Sequence, residues 1–338
     1  MRRPLTARTL SIRLAIAILV LVGASLLGLM FGAESPSLVE AFRTAGQERF
    51  IFVEIRLPRL FVTALVGGAL ALAGAAFQAL LRNPLASPYV LGISGGGALG
   101  AVAALLLGLD VVLLGVSTRP LFAFAGCLGA LGLLALVAGK RGRIRPHTLL
   151  LAGVVVNAFF AALIAFITYV VDPTHAIRIV RWLMGGIHLT TGPERLGAFL
   201  VLAVGTFLLL LESRALNLLV LGDESARQLG VDVDRCRRRT FLAASLLTAA
   251  AVALCGPIGF VGLVVPHAVR MILGPDHRAL LPVSLLAGGA FLVLADVLAR
   301  TVRRPEELPV GIITAFVGAP FFLWLLAGGR RRTFYEES

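Results

Sequence analysis

Polar stretches are what this sequence has least of. Only 14% of its 338 residues are charged, against 58% hydrophobic. A chain so poor in charge cannot wrap a globular core in a solvated surface, which excludes an ordinary soluble domain and points to a polytopic membrane protein. Lysine occurs once, at Lys140, so arginine carries nearly all the positive side of a formal charge of +13. The three cysteines (Cys127, Cys236, Cys255) are odd in number and imply no disulfide framework. No Gly-x-x-x-x-Gly-Lys-Ser/Thr occurs, and Gly139-Lys140-Arg141 fails it on both sides, so the chain has no phosphate-cradling loop. His147, His175, His188, His267 and His277 lack metal-ligand spacing and read as loop or packing residues. Neither a metal nor another cofactor is expected. Asp296 is the one acid inside an apolar run, and Arg300, four residues on, is placed to neutralise it. A membrane-embedded enzyme or an ion-coupled carrier needs more than this. The arginine excess belongs to membrane topology, and no nucleic acid is expected as a partner.

What is present is a series of apolar runs in contact with membrane lipid. Leu14–Phe31 follows Arg2, Arg3, Arg8 and Arg13. A cleaved signal peptide is the competing reading, but Phe31-Gly32-Ala33 lacks the small-x-small cleavage pattern. Gly32–Pro58 reads as an exposed loop of mixed charge. Nine more spans fall at about 60–81, 88–108, 120–138, 149–171, 196–211, 240–256, 259–273, 280–300 and 309–327. The stretch 240–273 is too long for one span, and Gly256-Pro257-Ile258-Gly259 divides it. The expected fold is all-α, with about ten transmembrane helices in one permease domain over 1–338. Arginine and lysine concentrate on the side of the N-terminus, so both termini are predicted to be cytoplasmic.

At one fixed offset Gly74 falls on Gly256, Pro84 on Pro266 and Gly92 on Gly274. The copies, about 56–172 and 238–327, would start on opposite sides of the membrane. Such an inverted internal repeat is a transporter signature. Residues that break helices or stand on the pathway are then expected at Gly74, Asn83, Pro84, Ser94, Gly95, Gly256, Pro257 and Pro266, although packing is the simpler role for any one glycine.

One window stands apart. Residues 222–239 hold Asp223, Glu224, Asp232 and Asp234 with Arg227, Arg235, Arg237, Arg238 and Arg239. Such charge density must lie in water. Gly222-Asp223 offers a helix start, Ala226 and Leu229 put apolar contacts on one face, and Gly230 stops the helix. A second short turn, from Val231, then carries the arginine run. The pattern suits a plug for a partner's groove, and equally a solvated loop.

From about residue 50 to 327 the chain resembles the permease subunits of bacterial ABC importers for iron–siderophore, haem and cobalamin. The carriers are Arg56-Leu-Pro-Arg59, Gln78-Ala-Leu-Leu-Arg-Asn-Pro-Leu-Ala86, Trp182-Leu-Met-Gly-Gly186, Gly222-Asp-Glu-Ser-Ala-Arg-Gln-Leu-Gly-Val231, Gly256-Pro-Ile-Gly-Phe-Val-Gly-Leu-Val-Val-Pro-His267, Ala295-Asp296 with Arg300, and Glu307-Leu-Pro-Val-Gly311. The resemblance implies a homodimer in the inner membrane, two cytoplasmic ABC ATPase subunits, and a periplasmic or lipid-anchored substrate-binding protein. It implies that Gly222, Asp223, Ala226, Leu229, Gly230 and Val231, within coupling helices over 222–239, dock on the ATPase. It also implies that Arg56, Arg59 and Arg300 meet glutamates of the binding protein. ATP hydrolysis would then belong to the partner. An autonomous secondary transporter is the rival class, disfavoured by the scarcity of buried acids. The expected cargo is a ferric siderophore or haem, these being the family's commoner cargo, with cobalamin as the alternative.

Overall fold

A computed structural model describes residues 6–32, 46–109, 111–113, 115–140 and 143–328. Glu34, Glu40, Arg43, the tail arginines Arg330–Arg332 and Ser338 lie outside the described residues. Among the described residues thirteen helices carry the fold, besides a short helical stretch over 47–56 and two small antiparallel strand pairs, 112–113 with 116–117 and 139–140 with 143–144. We number them α1 (Ala7–Met30), α2 (Leu57–Leu81), α3 (Ile93–Leu106), α4 (Thr118–Ala138), α5 (Pro146–Val170), α6 (Pro173–Leu183), α7 (Gly192–Leu211), α8 (Ser213–Leu219), α9 (Asp223–Gln228), α10 (Val233–Cys255), α11 (Val261–Leu273), α12 (His277–Thr301) and α13 (Val310–Gly328). Among the described residues seven helices are long and apolar enough to cross a membrane, and three shorter apolar ones, α3, α11 and α13, complete the ten expected. At 14 residues α3 reaches only about 21 Å at ~1.5 Å per residue, short of a bilayer core of ~30 Å. Short helices at membrane depth require their connections to be buried in protein or to line a cavity.

Small residues set the packing. α2 is buried along most of its length and lies against α12, where a Cβ on Gly67 would stand 2.3 Å from the Gly288 carbonyl oxygen. It also crosses α11 so closely that a Cβ on Gly74 would stand 1.8 Å from the Gly262 oxygen. In hydrocarbon, where helices gain little from hydrophobic association, such backbone approach supplies the contact. α2 packs on α11 and α12, while α10 packs on α3 and α4. The positions paired by the fixed offset differ in setting, since Pro84 lies in the connection after α2 and Pro266 lies inside α11.

Two local expectations are corrected. The exposed loop expected to run to Pro58 is helical from Gln47, through a π-helical stretch at Ile51–Arg56 that runs directly into α2. The wider π turn, with Leu57 N–H on Phe52 O, lets Pro58 enter without breaking the helix. The second short turn expected from Val231 does not form. Asp232 caps Arg235 N–H, and α10 runs unbroken from Val233 through the arginine run to Cys255. The expected division at Gly256-Pro257 is where α10 ends, with Gly256 at φ +69.

Candidate functional site

The polar window is one part of an arm, α8 and α9, that precedes α10. α9 ends in a Schellman turn: Gly230 N–H reaches Arg227 O, Val231 N–H reaches Ala226 O, and Gly230 takes φ +84. Ala226 has no exposed surface, whereas Leu229 is 60% exposed. Of the two apolar residues expected to share a role, the first anchors the arm to its own chain and the second is presented outward. Asp223 does not cap α9, whose start at Gly222 has no side-chain cap. Its Oδ1 instead accepts from Arg237 Nη2 at 2.6 Å and from Arg82 Nη2 at 3.1 Å. Arg237 is buried in α10, while Arg82 lies just past the end of α2.

Two further ties hold the arm. Arg239 Nη1 stands 3.2 Å from Glu212 Oε1. Asn217, on α8, donates to Asp276 Oδ1 at 2.8 Å and accepts at its own Oδ1 from His277 N–H (2.8 Å), with the His277 ring Nδ1 at 2.7 Å. Arg278 grips Asp276 as well, and this pairing, with the Asn217 contact, holds its carboxyl well below the usual carboxylate range.

At the other end of the helices Arg59 and Arg300 share one carboxylate, that of Asp296, at 2.8 and 2.9 Å. Arg59 Nη1 also reaches Glu307 at 2.8 Å. Arg56 Nη1 donates to Leu29 O at 2.6 Å and Arg300 Nη2 to Gly28 O at 3.1 Å, so both clasp the C-terminal turn of α1. Cations suit that end of a helix. The three arginines are thus brought together, but Arg56 and Arg300 are buried and all three are engaged within the chain. The exposed cations beside them are Arg303 and Arg304.

Between these ends lie two open cavities of about 600 and 550 Å³ that share Tyr89, Leu183 and Pro257. Tyr89, Ser94, Asn157, Thr168 and Tyr169 give the first its polar side chains; Ser87, Phe260 and Gly311 belong to the second. Among the described residues neither wall carries a carboxylate, a lysine, an arginine or a histidine.

A family model described as the FecCD transport family matches residues 18–328. The chain belongs to that family. Its members are ABC importer permeases, and the relatives agree. Over 273 residues the chain is 50% identical to a cobalamin import permease of Halobacterium salinarum, covering 80% of this chain and 72% of the relative. It is 42% identical to a hemin transport permease of Yersinia pestis, over 83% and 84% of the two chains. A solved structure described as an inward-facing metal-chelate type ABC transporter superposes with a TM-score of 0.83 at 32% identity, over 94% of this chain and 99% of that one.

In this FecCD chain the residues expected on the pathway divide. Ser94, Gly95 and Pro257 line a cavity. Gly74 and Gly256 are close-packing points, and a Cβ on Gly256 would meet Trp182 O at 2.7 Å. Asn83 Oδ1 accepts from Leu85 N–H at 2.9 Å and shapes the turn around Pro84. Pro266 is buried inside α11. Sequence reading missed Arg82, Asn217 and Asp276 as partners of the arm, because they meet it only through tertiary contact. It also overlooked Asp172, which caps α6 and pairs with His175 three residues on, a spacing visible in the sequence.

Proposed function

We propose that this FecCD permease carries an iron chelate, a ferric siderophore or haem, across the inner membrane as a homodimer worked by two ATPase subunits. The two uncharged, open cavities carry the reading. A wall without carboxylates, histidines or cations offers no ionic relay for a proton-coupled cycle, and it suits a bulky chelate whose specificity is set by a binding protein upstream. Their open side fits completion by a second copy of the chain. The arm and both termini face the cytoplasm in this reading, and Arg56, Arg59 and Arg300 lie at the face that receives the binding protein. The hemin transport relative favours the iron chelate. Cobalamin is the second reading, favoured by the relative at 50% identity.

The test is to purify the complex with its binding protein and identify the bound molecule by optical spectrum and mass. Haem or a ferric siderophore supports the first reading, and a corrinoid replaces it with the second. Uptake into vesicles that lack any ATPase would overturn both.

A further inference from the structure

Among the described residues only Arg82 and Phe260 combine a side chain with positive φ, at +48 and +66. A left-handed conformation at a non-glycine residue is strained, and it persists where the surroundings over-determine it. Phe260 stands on the second cavity wall. Arg82 touches neither cavity, yet it is the residue where α2 gives way to the connection that leads to both.

That connection, residues 82–92, is a run of consecutive turns. Asn83 N–H closes on Gln78 O at 3.1 Å, Ala86 N–H on Asn83 O at 3.1 Å, Val90 N–H on Ser87 O at 3.2 Å and Gly92 N–H on Tyr89 O at 3.3 Å. Pro84 and Pro88 fix two of its φ angles. Ala86 and Leu91 have no exposed surface, and they give it its pivot on the core. A segment so hydrogen-bonded and proline-fixed moves as a strut. Its near end is Arg82, ion-paired to Asp223 of α9 at 3.1 Å, and its far end is Tyr89, which stands on both cavity walls.

We infer that Arg82 is a positioning residue for transport: the Asp223–Arg82 pair passes displacement of the arm to the 82–92 strut, which shifts Tyr89 between the two cavities. This rests on the proposed function, in which an ATPase moves the arm. Asp223 has a second, separate task. Its bond to buried Arg237 fixes α9 to α10, and that bond survives when Arg82 is replaced. Arg82 itself is 37% exposed at its side chain, so its truncation leaves no buried charge.

The experiment uses the whole complex in liposomes, with Tyr89→Cys labelled by a maleimide in the presence and absence of ATP. The three native cysteines are buried, which keeps the background low. ATP is expected to change the labelling rate at least about fivefold, the low end of typical coupling between sites. Adding Arg82→Gln abolishes that change while ATPase association and ATP hydrolysis persist, and Arg82→Lys restores much of it. Pro84→Gly, which loosens the strut but keeps the ion pair, gives the same loss by a separate route. Undiminished ATP-dependent labelling in Arg82→Gln would overturn the inference. So would release of the ATPase by Arg82→Gln, which would place Arg82 in the dock itself. If Tyr89→Cys alone gives no ATP response although ATPase is bound, the strut has no output and the inference falls. If no ATPase is retained by that protein or by the unsubstituted chain, the proposed function falls with it.

Discussion

Arg59 and Asp296, 237 residues apart, meet at 2.8 Å, with Arg59 Nε also 3.2 Å from the carboxylate. The pair joins half-buried Arg59 of α2 to buried Asp296 of α12, and Arg300 completes it from the next turn of α12. Two guanidiniums on one carboxylate are stable only while that carboxylate is charged. Removing one partner of a buried ion pair typically costs about 3–5 kcal/mol, because the other charge stays behind without its counter-ion. Asp296→Asn is therefore expected to lower the melting temperature of the detergent-solubilised subunit sharply. Asp296→Leu should do no better, as it leaves the same two cations. A melting curve unchanged in Asp296→Asn would show that the triad is not structural.

The same geometry changes how the proposed binding-protein face must be probed. Reversing Arg56, Arg59 and Arg300 together puts carboxylates beside Asp296 and Glu307 and unfastens the end of α1. Loss of docking in that variant would be confounded with loss of fold. Arg303 and Arg304 are exposed on the same rim, and Arg303 pairs only loosely with Glu306 at 3.4 Å. Arg303→Glu with Arg304→Glu is expected to leave melting unchanged, while weakening binding-protein affinity several-fold and flattening its dependence on salt. Full affinity in the double variant would place the docking charges elsewhere.

Much of the fold is legible in the sequence. Hydropathy found ten spans because each apolar run needs hydrocarbon around it, and Gly256-Pro257 marked a break that no helix tolerates easily. Gly230 was legible as a left-handed stop. What could not be read was which charges pair. Arg56, Arg59 and Arg300 stand at span ends in the sequence, where an arginine can face water or a neighbour equally well, and only the approach of α1 decides. The arginine run after Asp234 looked too polar to begin a spanning helix. Its first turns nonetheless continue α10, since Arg237 finds Asp223 and Arg239 finds Glu212. Ala226 and Leu229 share a spacing but not an environment, because Leu229 sits at the helix end where the chain has begun to turn away.

Asp276 gives a prediction in pH. Its folded carboxyl is depressed, first by the Arg278 hydrogen bonds and also by Asn217. A depressed acid contributes stability that is present above its unfolded value of roughly 4 and lost as pH falls through the lower folded value. The stability gap between the unsubstituted protein and Asp276→Asn should hold from neutral pH down to about 4 and close only below that. A gap that grows as pH falls would contradict the assignment. Limited proteolysis near α8 should follow the same course, as Asp276 ties Asn217 to α12.

The outward-facing end of α9 makes the last prediction the most specific. Leu229 is exposed at the tip of an arm otherwise fastened to the chain at Glu212, Asn217, Asp223 and Ala226. A large apolar side chain carried there on a backbone fixed by a Schellman turn needs little backbone ordering when a partner arrives, which favours docking. Truncating such a contact typically costs about 1–3 kcal/mol of binding, and a charge in its place costs more. Leu229→Asp is therefore expected to fold normally yet release the ATPase, seen as loss of co-purification and of stimulated hydrolysis. Ala226→Asp should instead lower the melting temperature, since its site has no room and no water. Gly230→Val forces a β-branched residue to φ +84 and should swing Leu229 out of register while the membrane helices stay intact. Its complex is expected to assemble weakly and to hydrolyse ATP without matching uptake. Wild-type uptake from Leu229→Asp would mean that the arm is only a solvated loop, and the coupling role would have to be given up.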